Sequence, residues 1–534
     1  MRETPKAFGP SLLLALGLAV PSLACSTLPS APVVVDRGPI CEASADWLPD
    51  TPVLTQFMPV PHPASECAFY RAGWQNFLRA LQPSGLDGHP ALVDYPTTDD
   101  VFIPARSHPV NRAYLGGIRQ AGGRNIVIDG NGHALYYGIH VNDAYQQFIN
   151  DNGLQTAAAI QAYPDTRQDL FFPPGVVELR SAWQVVEGTP DEMASQMSHY
   201  VTMTTTVPTL TQGPPPDYTI HEDRDTPRVA TVRLLAIHVA STLVGHPEFV
   251  WATFEHSTGM ARGQIDTSPL DLQRDVAPIL DGSQNPTDAD PTSQVVRLPA
   301  NPADHILYEG GTPANQANRP FQDRDIRLVG QQLVLASDPT RPARTAIYRA
   351  FPASKSNTVD PDANVSSLNQ NVGEIFRNHP DDKRGNYRLV GAQWMDKPGY
   401  FAVNGPIQND STSPIANPSS RPDGKHIAQD GSLVDPIPVR ELLDNIRTDR
   451  SDSEFSIVGG EDRLVSTAME SFTQSPSNLN NCFSCHNTQG TTVKGIPTNR
   501  DEGNVVELLR PGLLNVSHVL SQFLLEEYEA GMTP

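Results

Sequence analysis

Hydrophobic residues recur at helical spacing in several segments of the chain. In residues 66–81, Phe69, Trp74 and Phe77 fall on one face, and Pro83 stops the pattern. This spacing predicts a helix with one buried side. Further helices are expected at 142–150, at 436–450, at 461–473 (with Val465, Met469 and Phe472 on one face) and from Ser517 onward.

Alternation of apolar and polar residues predicts strands in the same region. The clearest strand opens after Gly175, with Val177, Leu179, Trp183 and Val185 on one side and Glu178, Arg180 and Gln184 on the other. The turn Asp129-Gly130-Asn131-Gly132 between two apolar runs predicts a hairpin. Further strands are expected at 200–207, 229–241, 248–256, 293–298 and 387–396.

Segments rich in Pro, Asp, Asn and Ser separate these elements and are expected to be loops. They cover 208–228, 257–292, 352–385 and 403–435. Elements of both kinds in irregular order predict an α+β fold, with short antiparallel strands and long loops, for residues 66–450. This region is long enough for either one or two domains.

The amino terminus has the features of a secretory signal. Arg2 and Lys6 precede a short apolar run at 11–20, and small residues lead to a cut expected after Ala24. Cys25 then stands where a bacterial lipoprotein carries its lipid. The alternatives are a lipid-anchored protein and a plain secreted form with a free Cys25. Residues 25–65 serve as tether and lead-in, and the protein is expected in the periplasm or at the outer membrane.

The composition narrows the range of partners. The 534 residues include 60 Asp and Glu against 38 Lys and Arg, a formal net charge of −22. Nucleic acids and anionic membranes bind basic surfaces, so neither is expected as a partner, and membrane contact is left to the possible anchor at Cys25. The remaining partner classes are a redox protein and a small-molecule substrate.

Two of the five cysteines suit a disulfide in an oxidising compartment. Cys41 and Cys67 are 26 residues apart, and a bridge closing such a loop is worth about 3 kcal/mol. The alternative is two unpaired thiols, which is less common in exported proteins.

The sequence Cys482-Phe483-Ser484-Cys485-His486 has the spacing of covalent haem c attachment. Two thiols three residues apart can bond the two vinyl groups of one porphyrin, and His486 then binds the iron as proximal ligand. The alternatives are a redox-active dithiol, which should open a helix after a parallel strand, and a zinc site, which needs further ligands nearby. One covalent haem c is therefore the expected cofactor.

Residues 455–534 resemble a cytochrome c domain in having a predicted aromatic-containing helix on each side of this motif. The resemblance implies a small all-α haem domain and a distal methionine. No methionine lies between His486 and Met532, and Met469 suits core packing. The distal position is therefore left to His518, to a residue of the larger region, or to an open site.

The larger region offers weaker candidates for acid–base chemistry. Glu255 and His256 lie together in a predicted strand, and His140, His199 and His238 lie on or beside others. The whole chain also resembles large bacterial envelope proteins of the cytochrome c family. That resemblance rests on Cys67-Ala68-Phe69-Tyr70, Trp74-Gln75, Ile139-His140-Val141-Asn142, Trp251, Phe254-Glu255-His256 and the Cys482 motif. It implies only the architecture, a large region followed by a haem domain. The haem motif predicts electron transfer in the envelope, and the alternative is a haem-dependent oxidoreductase with an open distal site partly built by the large region.

Overall fold

Antiparallel strands dominate the part of the chain that the computed structural model describes. The described residues are 41–48, 67–84, 88–102, 114–119, 125–156, 172–243, 246–257, 305–312, 316–348, 361–395, 426–427, 433–434, 458–460, 464, 466–472, 482, 492–494 and 505–507. Helices α1 to α5 span Cys67–Ala80, Thr98–Phe102, Asp143–Asp151, Pro190–Met197 and Pro361–Phe376.

Sixteen strands are present within those residues. Strands β1 to β8 span Pro83–Ser84, His89–Pro90, Tyr136–Val141, Val177–Val185, Thr202–Gln212, Ile220–Leu243, His246–His256 and Ile326–Val329. Strands β9 to β16 span Gln332–Leu335, Asp338–Pro342, Tyr387–Met395, His426–Ile427, Leu433–Val434, Val458–Gly460, Thr492–Lys494 and Val505–Glu507.

The central feature is a seven-stranded sheet in the order β14-β11-β7-β6-β4-β3, with β5 added along β6. Strand β6 is long because its first half pairs with β5 and its second half pairs with β4 and β7. Every strand pair in the described residues is antiparallel. Smaller sheets are formed by β1 with β2, β8 to β10, β12 with β13, and β15 with β16.

One face of this sheet is covered by α1 and α5. The Phe77 ring stacks on Phe254 at 4.2 Å, and the Phe69 ring stacks on Trp394 at 4.1 Å between ring centroids. A side chain at Gly73 would place its Cβ 2.8 Å from that of Ala252, so glycine lets the helix lie this close to β7. These contacts form the main hydrophobic core.

A disulfide between Cys41 and Cys67 ties residues 41–48 to the start of α1. Both cysteines are fully buried, and their Cα atoms lie 5.2 Å apart. Arg71 of α1 lies over the Trp47 ring, 5.7 Å from its centroid. The bridge therefore fixes the lead-in segment against the helix that covers the sheet.

Several predicted elements are confirmed with small shifts in their ends. The helices expected at 66–81 and 142–150 are α1 and α3, and the Asn142 side chain accepts the Tyr145 N–H to start α3. The strands expected from Val177 and at 248–256 and 387–396 are β4, β7 and β11. The expected hairpin forms a bridge between Ile128 and Ala134.

Two expected loops are wrong. Residues 208–228 belong largely to β5 and β6, because threonine is β-branched and suits a strand, and the partner strand supplies the hydrogen bonds. Residues 361–376 form α5, where a helically spaced apolar row is buried despite the many Asn and Ser residues. Its members are Val365, Leu368, Val372 and Phe376.

The expected α+β class with a small all-α cytochrome c-like domain at 455–534 is also wrong. The described residues are mostly antiparallel β: β14 joins the main sheet beside β11, and β15 pairs with β16. Residues 466–472 form turns in place of the helix expected at 461–473. The Ser466 N–H bonds to the Glu470 carboxylate, and the Thr467 N–H bonds to Glu255, so the backbone finds partners outside a helix.

Some predicted features lie outside the described residues. They are the signal segment with Cys25, the strand at 293–298, the helix at 436–450, and the helix from Ser517.

Candidate functional site

The second face of the seven-stranded sheet is buried and polar, which the sequence pattern does not predict. We call it the polar sheet face; its members are Glu178, Arg180, His238, Thr253, Glu255, Arg388 and Gln393. All of these side chains are buried except that of His238, which is partly exposed. The polar side of β4, with Glu178, Arg180 and Gln184, therefore lies in the interior.

Strand register places these side chains together. Arg180 pairs with His238, and His238 pairs with Thr253 on the next strand. Glu255 pairs with Arg388 of β11. Directly paired residues of an antiparallel sheet point to the same side, so the charged groups form rows across β4, β6, β7 and β11.

A segment from near the end of the chain covers this face. We call it the strap; its described residues are Leu464, 466–472 and Cys482. Glu255 Oε1 accepts the Thr467 N–H at 2.7 Å and its Oγ–H at 3.3 Å. The Tyr137 hydroxyl of β3 donates to the Ala468 carbonyl at 2.7 Å. The strap is therefore held by directional bonds to side chains of the sheet.

An ion pair adds a third contact between strap and sheet. His238 Nε2 lies 2.7 Å from Glu470 Oε1, and His238 Nδ1 lies 2.8 Å from Thr253 Oγ1. Burial raises the pKa of Glu470, but His238, the Ser466 N–H and the charge of Arg180 outweigh it and hold that pKa below its ordinary value. The Glu470 carboxylate is therefore ionised at neutral pH.

Arg180 is a buried cation of the polar sheet face. Its burial lowers the pKa of the guanidinium, and the charges of Glu470 and Glu178 oppose that shift. A buried charge is tolerated only where opposite charges lie close to it. The carboxylates of the strap and of β4 therefore neutralise a charge that the sheet alone would bury at high cost.

Cys482, the first cysteine of the haem-type motif, lies against the same face. Its backbone N–H donates to Gln393 Oε1 at 2.7 Å, and the residue packs beside Val390 and Leu464. Cys482 is partly exposed, and Cys41 and Cys67 are bonded to each other. The motif therefore begins against β11 at the polar sheet face.

The structure does not bring the two acid–base candidates together. Glu255 contacts the strap, whereas His256 lies on the other side of the strand, stacked on Tyr200 and bonded through Nε2 to the His199 carbonyl at 3.0 Å. His140 is fully buried in β3. Cys485, His486 and His518 lie outside the described residues.

Sequence reasoning missed the groups that hold the strap. His238 and Glu470 are 232 residues apart, and Gln393 and Cys482 are 89 apart, so no local pattern joins them. One available signal is the row Glu178 and Arg180 within a strongly hydrophobic strand. Charged residues in a central strand indicate either a solvent-facing side or a polar contact with another segment.

Known proteins offer no guide to this site. No family model, no curated protein and no solved structure matches the chain. The resemblance to cytochrome c family proteins therefore stays a prediction. Within the described part of the chain, no three His, Cys, Asp or Glu side chains converge as metal ligands. No helix among the described residues has the length and hydrophobicity needed to cross a membrane.

Proposed function

We propose that the protein is an exported c-type cytochrome with one covalent haem. Cys482 and Cys485 hold the porphyrin, His486 binds the iron as proximal ligand, and the protein transfers electrons in the cell envelope. The observation that carries the proposal is the Cys-x-x-Cys-His sequence itself, whose first cysteine, Cys482, lies partly exposed against the polar sheet face.

The state of the cysteines suits the chemistry of attachment. The Cys482 thiol adds across a vinyl C=C: sulfur bonds to the α-carbon and the thiol proton goes to the β-carbon. The step is redox-neutral and needs a reduced thiol. Cys41 and Cys67 form a disulfide with each other, so neither competes for Cys482. Once bound, the haem supplies an iron that cycles between the ferric and ferrous states.

The surroundings of Cys482 favour haem over a thioredoxin-like dithiol. A dithiol of that kind opens a helix after a strand of a parallel βαβ unit. Cys482 instead belongs to the strap, which lies across an antiparallel sheet. The backbone N–H of Cys482 is taken up by Gln393, so this group is not available to stabilise a thiolate.

Electron transfer is favoured over an open-site oxidoreductase by the positions of Glu255 and His256. A distal acid–base pair needs both groups on one side of the haem. These side chains leave β7 on opposite faces, and each is already bonded to a structural partner. The chain therefore supplies no proton-transfer pair at that point.

The decisive experiment is expression of the full chain in a bacterial host that attaches haem in its periplasm. We expect haem that survives denaturing electrophoresis and stains by peroxidase activity, and its loss in Cys482→Ser with Cys485→Ser. A wild-type protein without covalent haem would contradict the proposal. Reduction followed by CO tests the activity: a large Soret shift at low CO would contradict a six-coordinate electron carrier.

A further inference from the structure

We infer that the polar sheet face positions the haem-binding motif, with Gln393 as the positioning residue for Cys482. This inference rests on the proposed function and extends it to residues far from the motif. Gln393 acts through the backbone of Cys482, and Glu255, Tyr137 and the His238–Glu470 pair act through the strap that precedes it.

The contacts come from four strands of one sheet. Gln393 lies on β11, Glu255 on β7, His238 on β6 and Tyr137 on β3. Each makes a hydrogen bond of 2.7 Å to the strap. Because the sheet fixes its strands relative to one another, these bonds define where the described residues of the strap, Cys482 among them, lie against the sheet.

The acceptor of the Cys482 bond is buried, whereas Cys482 itself is partly exposed. The Gln393 side chain has no solvent exposure, and that of Glu255 has 1%. A buried acceptor that lost its donor would remain desolvated without a partner, so the N–H of Cys482 is favoured at this position. Cys482 also packs against Val390 and Leu464.

The charges near the strap support the same geometry. Arg180 and Glu178 of β4 and Arg388 of β11 belong to the same face as His238 and Glu255. Glu470 is the charge that the strap brings to His238 and Arg180. If the strap moved, His238 and Arg180 would lose the Glu470 carboxylate as a partner. The cost of that loss opposes sliding of the motif along the sheet.

Positioning matters because two thioethers must form on one porphyrin. Each sulfur has to be able to reach the α-carbon of its own vinyl group on the same porphyrin. If Cys482 is displaced, we expect Cys485 to bond and one vinyl group to remain unreacted. A haem held by one thioether keeps that vinyl in conjugation, which moves its pyridine haemochrome α-band to longer wavelength.

The test compares two methionine substitutions in the full-length haem protein. Gln393→Met keeps the volume of the side chain and removes the acceptor for Cys482. Gln184→Met is the matched control, since Gln184 is 3% exposed on β4 and bonds to Asp129 and Arg233 rather than to the strap. Gln393→Glu restores an acceptor oxygen and should rescue the first variant.

The measured quantity is the share of haem-carrying protein in which the haem is held by one thioether. Because it is a ratio within the haem-carrying protein, a lower yield of that protein does not change it. We expect a several-fold larger share in Gln393→Met and no change in Gln184→Met or Gln393→Glu. Equal shares in Gln393→Met and wild type would overturn the inference while leaving the proposed function intact. A wild type without covalent haem would overturn both. Tyr137→Phe, a milder change, should raise the share slightly.

Discussion

The two faces of the seven-stranded sheet are both buried, but they are built from different interactions. On one face, aromatic rings of α1 stack on Phe254 and Trp394. On the other face, Glu255, His238 and Gln393 form hydrogen bonds to the strap. Apolar contacts contribute in proportion to area and have little directional preference, whereas a hydrogen bond is satisfied at one distance and angle.

The aromatic face therefore governs the stability of the fold, whereas the polar sheet face governs the position of the strap. The aromatic face holds the sheet and helices together through large buried area. The polar sheet face gains little net free energy, because each bond to the strap replaces a bond to water. Its bonds nevertheless fix the register of the strap. Substitutions on the two faces should therefore affect different measurable properties.

The largest expected effect is on the aromatic face, from Trp74→Ala. Trp74 is fully buried against Phe254, 4.9 Å between ring centroids, and its Nε1–H bonds to Asn369 at 3.2 Å. Removing a large buried side chain leaves a cavity, so we expect a loss of about 3–5 kcal/mol in the free energy of unfolding. Denaturant titration measures this value.

Trp74→Phe is the control for the apolar contribution, since it keeps an aromatic ring in the core and loses the bond to Asn369 with only part of the ring volume. It should cost clearly less than Trp74→Ala. If the alanine variant lost under about 1 kcal/mol, the aromatic face would not be the main source of stability and the comparison would fail.

The aromatic face could be predicted from the sequence because its signal is local. The helical spacing of Phe69, Trp74 and Phe77 identifies α1, and the alternation from Val177 identifies β4. The second face of β4 could not be predicted, because polar residues alternating in a strand ordinarily face water. Arg180 instead lies near Glu470 of the strap, almost three hundred positions later in the chain, and no local pattern announces that contact.

The candidate site was likewise predicted only in part. The Cys482 motif is a short pattern that carries its own chemistry, so it is visible in the sequence. The groups around it are joined by register across β4, β6, β7 and β11, which no single segment encodes. The same long-range contacts replace the expected cytochrome c-like helix at 461–473 with turns.

A moderate effect is expected on the polar face from Glu255→Ala. This change leaves the buried Thr467 N–H without its acceptor, which costs about 1–3 kcal/mol. We also expect the Thr467 amide to exchange with solvent faster, which hydrogen exchange measures. Thr467→Val removes only the 3.3 Å hydroxyl bond and should show a smaller change. If Glu255→Ala lowered the free energy of unfolding as much as Trp74→Ala, the two faces would not differ in their contribution to stability.

The smallest expected effect is the pH dependence contributed by Glu470. Because its pKa is lowered in the folded protein, its stabilisation is complete above the unfolded pKa of about 4.3 and is lost as the pH falls through the lower folded value. The other charged or titratable groups that face this region are Arg180, Glu178, Glu255 and His238.

Comparison with Glu470→Gln cancels the contributions of groups that do not interact with Glu470, but not that of His238, which contacts it directly. The difference in free energy of unfolding between wild type and variant should narrow as the pH falls from about 5 to below about 4. A difference that did not change between those values would mean that the His238–Glu470 pair does not hold the strap. Aromatic-face variants such as Trp74→Phe should show no such narrowing, because they remove no titratable group.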